Sequence, residues 1–353
     1  MDGLRDLPLR RYRPIPAFHR ALAPMPQRPP APIVDAHNHL GRWLTGGWAA
    51  PDVGALLAVM DASGVQAIVN LDGMWGDELD ANLDRYDRAH FGRFATFAQW
   101  DRSLFAAERW DDLGTQIEDA VDRGAKGLKV WKELGLHLRD GSGSLVMPDD
   151  PRLDPVWDAV SVAQVPVTIH VGDPVAFFEP LDERNERLEE LLENPDWWFG
   201  DHDRYPAFDR IMDALEALIA HRSDVTFIGA HVLCCAEDLA WVSRMLDTYP
   251  NAHADVAARI AELGRVPRAT KALIDRHPER VVFGTDASPP EPAVYEVHRR
   301  FFETADEAFP YDADPDETPS QGRWTISGVA LEGDALAKVY AGNARRLIPG
   351  LRA

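Results

Sequence analysis

Eight short apolar runs, separated by stretches with helical periodicity, constrain this chain more than any other feature. The runs lie at 32–36, 65–71, 94–99, 127–131, 166–169, 225–230, 252–256 and 280–285. Amphipathic stretches lie between them, among them 53–62, 104–123, 156–163, 208–221, 237–249 and 266–276, and a last helix is expected at 331–347. Runs that are apolar throughout belong to strands covered on both faces, and strands that alternate with helices pair in parallel. The pattern predicts an α/β fold with a single (β/α)8 TIM barrel.

At 353 residues the chain exceeds a minimal barrel of about 250, which leaves room for insertions. Residues 1–31 are rich in Pro and Arg and sustain neither a helix nor a central strand. They read as an arm across the domain or a partner subunit, or as a disordered tail, ahead of a barrel domain over 32–353. A second irregularity, at about 172–206, carries Phe177, Phe178, Trp197, Trp198, Phe199 and Tyr205 among many charges, which suits a lid after the fifth strand. A third, at 306–321, is acidic and contains Pro, and reads as a surface excursion. The acidic run at 181–194 reads as a solvated amphipathic helix.

Charge excludes some functions. A formal net charge of −21 repels phosphate backbones and anionic lipid surfaces, so neither nucleic acid nor membrane is an expected partner. A small-molecule substrate is expected instead, and an anionic one remains compatible because a few Arg side chains in a pocket act locally. A homodimer stays open. The two cysteines, Cys234 and Cys235, are adjacent and form no disulfide framework. No apolar stretch reaches 18 residues and the N-terminus lacks an apolar signal core, so the expected location is the cytoplasm.

In a barrel of this kind the chemistry sits at the C-terminal strand ends. The first run ends in VDAHNHL, where alternation puts His37 and His39 on one face, close enough to hold one cation. The fifth, sixth and eighth end in PVTIHVGDP, TFIGAHVLCC and VVFGTDASP, which place His170, His231 and Asp286. Imidazole nitrogens with one carboxylate suit Zn²⁺, Mn²⁺ or Fe²⁺ and do not suit Ca²⁺.

With these motifs the chain resembles the amidohydrolase superfamily from about residue 33 to 347. It is most similar to the branch that holds aminocarboxymuconate semialdehyde decarboxylase, resorcylate-type decarboxylases and dicarboxylate lactonases. The resemblance implies that His37, His39, His170 and Asp286 ligate one divalent transition metal, Zn²⁺ or alternatively Mn²⁺. It implies that His231 polarises the substrate or positions a water. The catalytic pair is then Asp286, as ligand and proton acceptor, and His231, as stabiliser of developing negative charge.

Some branches of that superfamily bridge two metals with a carboxylated lysine from the fourth strand. Here Lys129 is in phase with Trp131 and faces the barrel, either as a pocket cation beside a single metal or as such a bridge. Further candidates for substrate contact are Trp131, Asp173, Arg259, Phe177 and Trp324. Asp173 could instead orient a metal ligand, and Arg259 either grips a carboxylate by its fork geometry or forms a surface ion pair. Two reactions fit. Hydrolysis of an ester, lactone or amide of a small carboxylate-bearing or aromatic substrate ranks first, and non-oxidative decarboxylation of an aromatic or unsaturated acid second. A non-enzymatic metal-binding protein is disfavoured, because structural sites are normally closed by their ligands.

Overall fold

The computed structural model describes residues 4–12, 22, 24–44, 46–312 and 320–351. Eight strands appear where the apolar runs place them: β1 (Ile33–Asn38), β2 (Val65–Asn70), β3 (Phe94–Thr96), β4 (Leu128–Val130), β5 (Val167–Ile169), β6 (Phe227–Gly229), β7 (Ala252–Asp255) and β8 (Val281–Val282). All neighbouring pairs are parallel, in the orders β1-β2-β3 and β4-β5-β6-β7-β8. Backbone hydrogen bonds close the two sheets into one barrel. Ala98 N–H donates to Gly127 O at 2.9 Å and Lys129 N–H to Ala98 O at 2.8 Å, joining the end of β3 to β4. On the other side Ala36 N–H donates to Phe283 O at 3.0 Å and Asp286 N–H to His37 O at 2.9 Å, joining β8 to β1. Closure brings the first and last strand ends together, and with them His37 and Asp286.

The first helix, Val53–Ser63, shows how local chemistry sets element limits. Asp52 caps it by accepting from Ala55 N–H, and Gly64 ends it in the left-handed region at φ 75°. Phe208–His221 runs as the periodicity requires, and Leu239–Thr248 and Pro267–Arg276 lie inside the stretches expected for them. The expected helix at 104–123 is broken into Ser103–Ala106 and Trp110–Arg123, with Glu108 at φ 54° in the break. Two helices that the sequence reading did not pick out, Gly76–Leu83 and Pro292–Glu303, complete the outer ring. The C-terminal helix begins at Gly333 and passes through a π-helical turn, Lys338–Gly342, before Asn343–Leu347.

The insertion after β5 corrects one expectation. In the acidic run the helix covers Leu188–Glu193, and Arg187 beside it is buried at 1% exposure rather than solvated. Its guanidinium pairs with Glu190 Oε2 at 2.8 Å and with Glu262, while Arg265 pairs with Glu186 and Arg323 with Glu189. The carboxylates that looked like a solvated face therefore dock the insertion onto basic groups from after β7 and from the C-terminal region. Most of its aromatics turn inward as well, although Trp197 stays 37% exposed. Phe177, Phe178, Phe199 and Tyr205 are buried, Phe178 packing on Phe199 and Phe208.

Of the N-terminal arm, residues 1–3, 13–21 and 23 lie outside the described residues, as do 313–319 of the acidic excursion. The described part of the arm includes a turn at Leu9–Arg11, and the carbonyls of Leu9 and Tyr12 accept from Arg323. Among the described residues no helix is long and apolar enough to cross a membrane.

Candidate metal centre

His37 and His39 leave β1 buried, at 0% and 3% exposure, and each presents Nδ1 to a buried carboxylate. His37 Nδ1 lies 2.8 Å from Asp255 Oδ2 and His39 Nδ1 lies 2.7 Å from Asp72 Oδ1. A carboxylate at Nδ1 holds the proton there and leaves the Nε2 lone pair free for a cation. Both Nε2 atoms face Asp286 Oδ1, at 3.6 Å from His37 and 3.2 Å from His39. Four ligands at about 2.1 Å in a tetrahedron have their donor atoms roughly 3.4 Å apart, so this spacing fits one ion.

The remaining histidines close the group. His231 Nε2 stands 3.9 Å from Asp286 Oδ2, and donor atoms of His37, His231 and Asp286 all lie within 4.8 Å of one another. The His170 ring is 4.4 Å from that of His231, yet its Nε2 is 3.3 Å from Asp173 Oδ1. Asp173 in turn accepts from Lys132 Nζ at 2.8 Å. His37, His39 and His231 thus face Asp286, while His170 reaches the group through its ring contact with His231 and turns Nε2 to Asp173.

Electrostatics keep most of these rings neutral, the state in which imidazole binds a metal. Burial pushes His170 down to about 4 and, aided by the charges of His170 and Arg259, pushes His231 well below its ordinary value. Burial, then the Lys129 charge, lowers His37 despite Asp255. His39 goes the other way: burial opposes its charged form, but Asp72 and Asp286 outweigh that and raise it to about 9. Burial would raise the Asp286 carboxyl, and His37, His39 and His231 override it and hold the group well below the usual carboxylate range.

His231 sits on an unusual backbone. From His231 to Cys234 four successive non-glycine residues are left-handed, with φ of 56°, 62°, 56° and 58°. Each costs about 1–2 kcal/mol relative to the right-handed form, and β-branched Val232 is the least suited to it. The turn persists because its polar groups are satisfied and its side chains buried. His231 N–H donates to Asp255 Oδ1 at 2.8 Å, Cys234 N–H to Ala230 O at 2.8 Å, and Val232 and Leu233 lie at 2% and 0% exposure. His231 Nδ1 is 2.8 Å from Ala257 O, so Nδ1 donates and Nε2 points at Asp286.

Leu233 folds back so tightly that a Cβ at Gly229 would sit 2.8 Å from the Leu233 Cα. Gly229→Ala should therefore lower stability by about 1–3 kcal/mol, the range for overpacking a tight core. Denaturant unfolding measures it, and an unchanged midpoint would show that the turn yields without cost.

The other candidates divide into two groups. Lys129 is buried at 1% exposure with Nζ 3.2 Å from His37 Nε2, and burial lowers its pKa. Trp131 lies 4.8 Å from the His39 ring, 6.3 Å from His170 and 4.9 Å from Trp43, and Lys129 Nζ is 5.5 Å from its centroid. Arg259 is 7% exposed, donates to Ala258 O at 2.9 Å, and has no carboxylate partner within 4 Å among the described residues.

Phe177 and Trp324 form the second group. Phe177 stacks on Trp197 within the insertion, while Trp324 donates to Ala261 O and is flanked by Arg187 and Arg265. Trp197 in turn lies under Lys132, the partner of Asp173, and among the described residues neither Phe177 nor Trp324 packs on a histidine of the cluster. Sequence reasoning missed Asp255 and Trp43. The first ends β7 as the ligands end their strands, and that position was its available signal. Trp43 reaches Trp131 from a loop with no local signature.

The amidohydrolase family model matches residues 34–350. No curated protein matches the sequence. Among solved structures, a 2,6-dihydroxybenzoate decarboxylase from Rhizobium is 17% identical, with 90% of this chain and 98% of that chain covered and a TM-score of 0.53. A 5-carboxyvanillate decarboxylase from Sphingomonas paucimobilis is 14% identical over 90% and 98%, with a TM-score of 0.52. A dihydroxybenzoic acid decarboxylase from Polaromonas sp. JS666, solved with manganese and 2-nitroresorcinol, is 15% identical over 92% and 98%, with a TM-score of 0.53. At such identities the likeness establishes the TIM-barrel fold, and the family match over nearly the whole barrel establishes the rest: this chain belongs to the amidohydrolase family.

Proposed function

We propose that the chain is a metal-dependent carboxy-lyase that releases CO₂ from a small aromatic or unsaturated carboxylic acid without a redox cofactor. One observation carries this reading: the buried histidine–aspartate cluster shares its surroundings with the Trp131 ring and two cations, Lys129 and Arg259. That combination offers an aromatic surface and positive charge to one planar anion. The decarboxylases of the same fold add support and reverse the sequence-based ranking, in which hydrolysis came first.

His37, His39, His170 and Asp286 would hold one Zn²⁺ or Mn²⁺, whose Lewis acidity polarises a bound oxygen. The chain's own groups do the rest. Arg259 grips a carboxylate and Trp131 lies against the ring. His231 Nε2 faces the charge that develops on a substrate oxygen. Asp286, ionised at rest, first takes a proton from a substrate hydroxyl or a water and passes it to the ring carbon that bears the carboxylate, and the bond to the carboxylate then breaks with its electron pair returning to the ring as CO₂ leaves. Residues 172–206 start two residues beyond His170, and we read them as the segment that covers the substrate.

Hydrolysis has one observation in its favour, since an Asp286 kept ionised by three imidazoles is in the state that takes a proton from water. A panel of aromatic acids and lactones, with CO₂ and pH followed in parallel, separates the two. The expected result is one CO₂ per acid consumed, with one metal per chain by elemental analysis. Ring opening of a lactone with no CO₂ from any acid would replace the lyase by the hydrolase.

A further inference from the structure

We propose that Asp255 is a positioning residue whose two carboxylate oxygens do different jobs: one sets the tautomer of the ligand His37, the other pins the turn that carries His231. The proposal rests on reading His37 as a metal ligand.

Asp255 ends β7 at 1% exposure, between the two histidines. Its Oδ2 is 2.8 Å from His37 Nδ1, and its Oδ1 accepts from His231 N–H at 2.8 Å and Ala257 N–H at 3.1 Å. Both backbone donors are obligatory, so Oδ1 is an acceptor in any state of the protein. With Oδ2 also accepting, the His37 proton stays on Nδ1 and the Nε2 lone pair points to the cluster. Lys129 Nζ lies 3.2 Å from that Nε2, and as an ammonium it donates to the same tautomer.

Asp72 makes the comparison internal to the structure. It orients His39 in the same way through Oδ1, yet its Oδ2 has no hydrogen-bond partner among the described residues. An amide at position 72 can therefore turn its oxygen to His39 and keep the tautomer. An amide at position 255 cannot serve both sides. Its oxygen must face the two backbone N–H groups, because they cannot change state, whereas an imidazole can. Its NH₂ then donates to His37 Nδ1, which moves the ring proton to Nε2, the atom that should bind the metal.

The test uses the full-length protein with ¹⁵N-labelled histidine and Zn²⁺ as the probe. In the metal-free wild type, His37 should carry its proton on Nδ1. In Asp255→Asn the proton should move to Nε2 and Zn²⁺ affinity in a competition titration should fall about 10- to 100-fold, the usual scale for removing the partner of a metal-bound imidazole. Asp72→Asn should leave His39 protonated on Nδ1 and lose less affinity than Asp255→Asn. Wild-type affinity in Asp255→Asn overturns the proposal. So does a wild-type His37 protonated on Nε2, a result available even if the variant fails to fold. A wild type that takes up no Zn²⁺ overturns the metal centre itself and this proposal with it.

Discussion

His37→Ala and His231→Ala are expected to fail in different ways, and the difference assigns their roles. Removing His37 takes a ring that faces Asp286 at 3.6 Å and is held there by Asp255, so metal content and activity should fall together and added metal should restore little. His170→Ala should behave likewise. His231 is the farthest from Asp286 of the three imidazoles that face it, at 3.9 Å, and its Nδ1 is tied to a backbone carbonyl. His231→Ala should therefore retain most of the metal while activity drops by about 10² or more, the scale for losing a group that stabilises developing charge. Asp286→Asn should fall between, keeping some metal through its amide oxygen and recovering little at high pH. Elemental analysis beside single-turnover rates reads both quantities. A His231→Ala protein stripped of metal would place that ring among the ligands with His37 and Asp286, whose donor atoms and its own all lie within 4.8 Å of one another.

What the sequence made legible follows from what has a local signal. Strands covered on both faces are apolar runs whatever their neighbours, so all eight could be placed, and with them His37, His39, His170, His231 and Asp286 at their ends. Lys129 was legible by phase, since alternation with Trp131 turned it inward. Partnerships across the barrel were not. The Asp255–His37 bond spans 218 positions, and no local pattern encodes which carboxylate a ring will meet.

Buried ion pairs misled in the same way. The acidic run around Arg187 looked solvated because its counter-charges, Glu262, Arg265 and Arg323, come from distant segments. Four aromatics of the insertion are buried, Phe177 among them against Trp197, while Trp197 itself stays 37% exposed, and which ring would find cover had no local signal. The turn at 231–234 was illegible for a different reason. Propensity forbids it for Val232, and it forms because tertiary contacts outweigh the local cost, as happens at functional sites.

The second large effect should come from Arg259, and it bears on the reaction as well as on binding. Among the described residues the Arg259 guanidinium, in a side chain 7% exposed, is hydrogen-bonded to a single backbone carbonyl, which leaves donors for a ligand. A substrate carboxylate supplies the missing acceptor. Arg259→Gln should then lower kcat/KM for an acid substrate by about 30-fold to 10³-fold, the equivalent of the roughly 2–4 kcal/mol lost when one partner of a buried charge-assisted pair is removed. Arg259→Lys should fall between, because it keeps the charge and loses the fork. Metal content should not change in either, since Arg259 makes no hydrogen bond to the cluster. Neutral esters and lactones provide the contrast: a substrate with no carboxylate has nothing to lose. If Arg259→Gln lowered the rates for charged and neutral substrates equally, the residue would act on His231, whose neutral state its charge favours, rather than on the substrate. If neither rate moved, the anion site would have to be sought at Lys129 alone.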